Sequence, residues 1–179
     1  MNMLITGIIW VFFLDNLCEQ DGIVLTNKTT KNVKEGMELG VWRDKVSIMK
    51  PLTFMNNSGS VVAAYAKYHN ISPNETLVVH DELDFDCGRA KFKFSGSEGG
   101  NNGLKSISSH FGSRDYWRLR IGIGRPPSRE DTVNYVLKSP NPAQRKQYQE
   151  LIPVILRAIT NFIWEDKSLA VKSLHTELG

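Results

Sequence analysis

No lysine or arginine precedes Lys28, and that absence bears on the apolar opening MLITGIIWVFFL at residues 3–14. A secretory signal needs a basic segment ahead of its apolar run and small residues at a cleavage site. Here Asp15, Asn16 and Glu19 follow the run instead. A membrane span needs about 20 consecutive apolar residues in a helix. The opening falls well short of that, so it reads as a buried segment and no membrane contact is expected. Cysteine is equally scarce. Cys18 and Cys87 stand far apart, which argues against a disulfide framework or a cysteine metal site and fits a reducing, cytoplasmic compartment. Low-complexity tracts, heptads and internal repeats are also missing, as is a Gly-Lys-Ser/Thr phosphate loop. What remains is a chain of 179 residues, suited to one domain over 1–179 with a core of its own.

The net charge of +3 conceals a concentrated middle. Residues 87–125 carry eight Lys/Arg against Glu98 and Asp115, whereas residues 1–86 carry seven against eleven acidic residues. A polyanion-binding face needs such a concentration, but scattered solvated charge also produces it, so placement decides.

Periodicity supplies the placement. Gly22–Leu25 reads as a short strand. Met37, Leu39 and Val41 alternate with polar or small residues, and Val46 and Ile48 do so after Arg43-Asp44, the period of a half-buried hairpin. Pro51 ends it. Ser58 then reads as the cap of a helix to about Asn70, with Val61, Tyr65 and Tyr68 on one stripe and Pro73 beyond. The run Thr76–His80 is β-branched and apolar throughout, as in a central strand covered on both faces, and its carboxyl end delivers Asp81, Glu82 and Asp84.

Two later strands carry the basic residues. Lys91 and Lys93 alternate with phenylalanines, and Arg118 and Arg120 alternate with apolar residues, so each pair shares a strand face. Gly122 and Gly124 extend the second rank without side chains, which would let a ligand approach the backbone. Between these strands a Gly-rich loop, Ser95–Gly103, runs into a helix with Leu104, Ile107 and Phe111 inward. A final helix over 143–163 points Leu151, Ile155, Ile159 and Phe162 inward, with Pro153 as a kink or restart. Strands interleaved with helices predict an α/β fold, a single α/β/α sandwich on a mixed, mostly parallel sheet.

Several of these residues invite chemistry while keeping a plain alternative. The Gly-rich loop before a helix is either an anion-binding backbone or a simple turn. Asn56 and Asn102 sit at element ends, where an amide either orients a carbonyl and its developing oxyanion or merely caps a helix. Asp81 reads as a metal ligand with Glu82 and Asp84, as the partner of a histidine, or as a cap. On a strand, Asp81 and Glu82 point to opposite faces, which argues against the metal.

The set PLTFMNNSG (51–59), VVHDELD (78–84), GRAKFKF (88–94), GGNNGLKSI (99–107) and RLRIGIGRP (118–126), in this order, resembles the bacterial peptidyl-tRNA hydrolase family. The likeness runs over about residues 11–179. It implies hydrolysis of the ester joining peptide to tRNA, with peptidyl-tRNA as partner, a monomeric protein, and no metal or cofactor. It implies catalytic roles for Asp81, Asn56 and Asn102, with Asp81 holding a histidine general base. It implies peptide and ester contacts by Phe54, Met55, Asn56 and Asn102, and a grip on tRNA phosphate by Lys93 and Arg120.

The likeness has gaps. Glu98 and Asn101 stand where the family's loop usually carries histidines. The family's Thr-Arg-His-Asn falls on Ile5-Thr6-Gly7-Ile8, which puts Gly7 in the place of the catalytic histidine. The family's N-terminal strand and catalytic turn are thus expected to be missing or replaced within residues 1–10, by a frameshift or a shifted start. His69, His80, His110 and His175 are not expected to substitute. The expected activity is an impaired peptidyl-tRNA hydrolase, with a catalytically silent RNA-binding member of the family as the alternative.

Overall fold

The computed structural model describes the backbone of residues 2–5, 8–30, 33–128 and 132–178, and the side chains of 13–29, 36–128, 132 and 134–178. The chain runs β1 (Asn2–Ile5), α1 (Ile8–Asp21), β2 (Thr26–Thr30), β3 (Val33–Trp42), β4 (Val46–Pro51) and α2 (Ser58–Tyr68). It continues with β5 (Thr76–Glu82), β6 (Ala90–Phe94), α3 (Asn102–Phe111), β7 (Trp117–Gly122), α4 (Thr132–Leu137), α5 (Pro142–Trp164) and α6 (Lys167–Leu178). Seven strands form one sheet in the order β2-β3-β4-β1-β5-β7-β6. It is mixed: β1 pairs in parallel with β4 and β5, while β3 is antiparallel to β2 and β4. The α/β class with a mixed sheet is the one expected.

Two compact units are interleaved along the chain. One takes in residues 1–6, 18–79 and 93–118, the other residues 7–17, 80–92 and 119–179.

In the first unit, α1 ends as helices commonly do. Gly22 adopts a left-handed φ of 65°, and the Ile23 N–H donates to the Cys18 carbonyl at 2.8 Å. This corrects the strand expected over residues 22–25: Gly22 is spent on the helix cap, and the strand begins only at Thr26. The β3–β4 hairpin forms as its alternation predicts, with Trp42 opposite Val46 and left-handed backbone at Arg43 and Asp44 turning the chain. Asn2–Ile5 lies between β4 and β5, within the middle of the sheet. Gly7, the expected place of the histidine, lies outside the described residues.

The core of this unit joins Met37, Met49, Val61, Val62, Val78, Leu104, Ile107 and Tyr116. The helix after Pro51 differs from expectation in two details. Asn57 is the N-cap position and Ser58 lies inside the helix. Tyr68 is 81% exposed, since the inward stripe ends at Tyr65, whose hydroxyl meets Ser47 Oγ at 2.8 Å.

In the second unit, α5 runs unbroken through Pro153, so the proline does not restart the helix. Asn141 and Gln144 form a reciprocal capping box at its start, with Pro142 as the first helical residue. Leu151, Ile155, Ile159 and Phe162 are buried as expected, and Phe162 stacks on Phe92 at 4.5 Å. Phe13 of α1 meets the edge of Tyr148 at 6.3 Å. Among the described residues no helix is long and apolar enough to cross a membrane.

Candidate active site

Two turns of the first unit are brought together by a pair of helices packed at very short range. Gly59, in the first turn of α2, faces the backbone of Ser106 in α3, where a methyl group would come within 2.1 Å of the Ser106 carbonyl oxygen. Its N–H donates to Ser106 Oγ at 3.0 Å. Only glycine permits this approach. The turn Met55–Asn57 just ahead of α2 therefore lies beside the start of α3, and a methyl on Gly103 would sit 3.2 Å from Met55 Cγ. Asn56 and Asn102 are both exposed at these element ends. Neither side chain caps its helix: Asn101 caps α3, accepting from the Leu104 N–H at 3.0 Å. Phe54, 85% exposed, stands before the turn, with Met55 half-buried beside it.

The Gly-rich loop is anchored from β7 and the stretch leading into it. Arg118, only 2% exposed, donates from Nη1 to the Ser97 carbonyl at 2.6 Å and from Nη2 to the Gly96 carbonyl at 2.7 Å. Its guanidinium also lies over the Tyr116 ring at 4.8 Å. Glu98 receives two bonds from Arg114, at 2.7 and 3.3 Å. The Arg114 donors hold the Glu98 carboxyl far below its ordinary range, from 4.5 down to about 2. Ser95 Oγ donates to Asp115 Oδ1 at 3.0 Å. Lys93, exposed on β6, folds its side chain over Gly96, where a methyl would meet its Cε at 2.8 Å.

These contacts correct two expectations. Arg118 does not line an open cationic face, because the loop's own carbonyls cover it. Gly122 does not expose backbone to a ligand either: a methyl there would lie 2.0 Å from the Asp86 carbonyl, so the chain itself makes the close approach. Sequence reasoning missed Ser106, Arg114, Tyr116 and Arg118 as supports. The strand alternation that ranked Arg118 with Arg120 carries no record of which face a loop will cover.

In the second unit Asp81 is half-buried on β5, and its carbonyl lies 2.7 Å from His80 Nδ1. His80 itself is 2% exposed within the strand's apolar packing, away from any water that a base would activate. His110 and His175 engage the Ser106 and Phe92 carbonyls, and His69 packs on Tyr65. Arg120 pairs with Glu82 at 2.8 Å and lies over Phe85 at 4.5 Å, while Arg125 pairs with Asp84. Glu82 and Asp84 thus carry arginines rather than presenting free carboxylates to a cation. Phe54, Met55, Asn56, Lys93 and Asn102 belong to the first unit, and Asp81 and Arg120 to the second.

Comparison with known proteins bears on the family of the chain. The peptidyl-tRNA hydrolase family model matches residues 9–178. A peptidyl-tRNA hydrolase of Neisseria gonorrhoeae is 47% identical over 135 residues, covering 74% of this chain and 69% of the relative. One from Thiobacillus denitrificans is 52% identical over 112 residues, covering 63% and 54%. Among solved structures, the Arg119Gln mutant of peptidyl-tRNA hydrolase from Acinetobacter baumannii superposes with a TM-score of 0.86 at 26% identity, covering 99% of this chain and 95% of that one. Another structure of peptidyl-tRNA hydrolase from A. baumannii superposes with a TM-score of 0.84 at 26% identity, covering 99% of this chain and 95% of that one. The chain belongs to the peptidyl-tRNA hydrolase family.

Proposed function

We propose that this chain binds peptidyl-tRNA at the turns around Asn56 and Asn102 and is slow to cleave it. In the reaction, a water oxygen attacks the ester carbonyl, and the bond to the tRNA 3′-oxygen breaks to release a peptide acid and a free hydroxyl. Asn56 and Asn102 donate to the peptide and the ester, and Asn102 also positions the water. Phe54 and Met55 offer apolar surface to the peptide. Lys93 and Arg120 hold tRNA phosphate, a role that a guanidinium fork and a mobile ammonium suit in different ways. Asp81 is the residue that would orient an imidazole, but the sequence puts Gly7 where that imidazole belongs. Without a general base the rate falls by about 10²–10⁴-fold. The reading requires no metal or cofactor and fits a cytoplasmic monomer.

The observation that carries this reading is the contact of Gly59 with Ser106, which brings the turn bearing the exposed Asn56 beside the start of the helix where Asn102 is exposed. A cleavage assay on N-blocked aminoacyl-tRNA tests it. The chain is expected to bind the substrate and cleave it about 10²–10⁴-fold more slowly than a relative with the histidine, with Gly7→His recovering part of the rate. Turnover at ordinary enzyme rates, above about 1 s⁻¹, would sink the claim. Binding without any cleavage, even in Gly7→His, would favour a silent RNA-binding member of the family.

A further inference from the structure

The Gly-rich loop carries one of the two proposed substrate amides, yet little of it has apolar packing to hold it. Gly99 and Gly100 have open space around them and left-handed φ values of 56° and 85°. A segment of that composition has many conformations to lose and few contacts to fix it. Its anchors are mainly polar, from Arg118 to Gly96 and Ser97 and from Arg114 to Glu98. Arg118 is a strand residue with its charge buried, and among the described residues its Nε has no partner. Burying a guanidinium with one N–H unanswered costs free energy, and a well-packed apolar residue would serve fold stability better. The compensation is that both terminal nitrogens reach consecutive loop carbonyls, Gly96 and Ser97, with the ring of Tyr116 beneath.

We propose that Arg118 is a positioning residue for substrate binding, acting through Gly96 and Ser97 on both Lys93 and Asn102. The inference rests on the proposed function, since it concerns the same site. Two routes leave the anchored carbonyls. On one side Gly96 forms the bare floor over which Lys93 lies, 3.0 Å from Nζ to the place of an absent methyl, so Gly96 sets where the ammonium rests. On the other side the chain passes through Glu98, whose carbonyl accepts from the Asn101 N–H at 2.9 Å, and Asn101 caps the helix that begins with Asn102. The guanidinium fork is what allows both carbonyls to be held at once. An ammonium on a lysine stem reaches one of them.

The test measures two things on the full chain: affinity for a peptidyl-tRNA analogue with an amide in place of the ester, and backbone hydrogen exchange. For Arg118→Met, binding is expected to weaken about tenfold, and exchange over residues 96–102 to quicken by about the same factor. Exchange in the β3–β4 hairpin is expected to stay within about twofold of wild type. Arg118→Lys is expected to fall between the two, and if the methionine variant fails to fold, the lysine variant carries the test alone. Unchanged affinity overturns the proposal. So does weaker binding with an unaltered loop, and so does exchange that rises equally in the hairpin, since that marks a purely structural role. A wild-type chain that ignores the analogue overturns the proposed function, and the exchange measurement then decides whether Arg118 holds the loop.

Discussion

Glu98 shows how much a single contact can change the chemistry of a position. It introduces an acid into a loop proposed to lie near phosphate, yet the two bonds from Arg114 neutralise it locally. Because its carboxyl is held at about 2 rather than 4.5, the folded state favours the ionised form. The stabilisation is therefore fully present above about pH 4.5 and is lost as the pH falls toward about 2. Arg114 is well exposed, so solvent screening keeps the contribution modest. Thermal melts across that acid range are expected to fall less steeply for Glu98→Gln than for wild type. Identical slopes would remove the pair from any account of acid stability.

At the scale of elements, the decisive contact is between α2 and α3. In Gly59→Ala the new methyl meets the Ser106 carbonyl oxygen, and backbone cannot swing aside as a flexible side chain can. Overpacking of this kind costs about 1–3 kcal/mol. The helices must part, so chemical denaturation is expected to show that loss together with weaker substrate binding. Ser106→Ala, which removes only the partner of the Gly59 N–H, is expected to cost about 1 kcal/mol. A Gly59→Ala protein as stable as wild type would show that the two turns are not joined in this way.

Elements with one dominant period were legible in the sequence. The β3–β4 hairpin, β5, α3 and α5 each follow from alternation or a helical stripe that their own residues carry. What was not legible depends on partners distant in the chain. Gly22 belongs to a helix end rather than to the start of a strand, because the Cys18 carbonyl awaits the Ile23 N–H. Arg118 has the same pattern as an exposed cation, and only the carbonyls of Gly96 and Ser97 distinguish it. The motif PLTFMNNSG contains Gly59 as well as Asn56, but nothing in it shows that this glycine meets the Ser106 backbone of a helix 47 positions on.

Across the whole molecule, the excess of basic residues over 87–125 is smaller in effect than the sequence count implies. Arg114, Arg120 and Arg125 are each paired with a carboxylate, and Arg118 is buried. Arg89, Lys93 and Lys105 remain exposed, and Lys91 is half-buried. Phosphate contacts release counterions, so log affinity falls linearly with log salt, by about 0.9 per phosphate neutralised on a duplex. Binding of tRNA is expected to show such a slope, with Lys93→Ala reducing it by about 1 and Arg120→Ala by less, because Glu82 already pairs with that guanidinium. Titration of each variant over a range of potassium chloride checks this. Salt-independent binding would contradict the phosphate grip.

The place of β1 in the sheet has a consequence for how the chain is made. Its residues pair with Ile48 and Met49 on one side and with Thr76–Val79 on the other. Both partners are translated after it, and the second only once most of the first unit has left the ribosome. At about 5–20 residues per second, the apolar opening waits on the order of ten seconds for its neighbours. Throughout that interval it is an apolar nascent segment without its sheet neighbours, and so prone to nonspecific association.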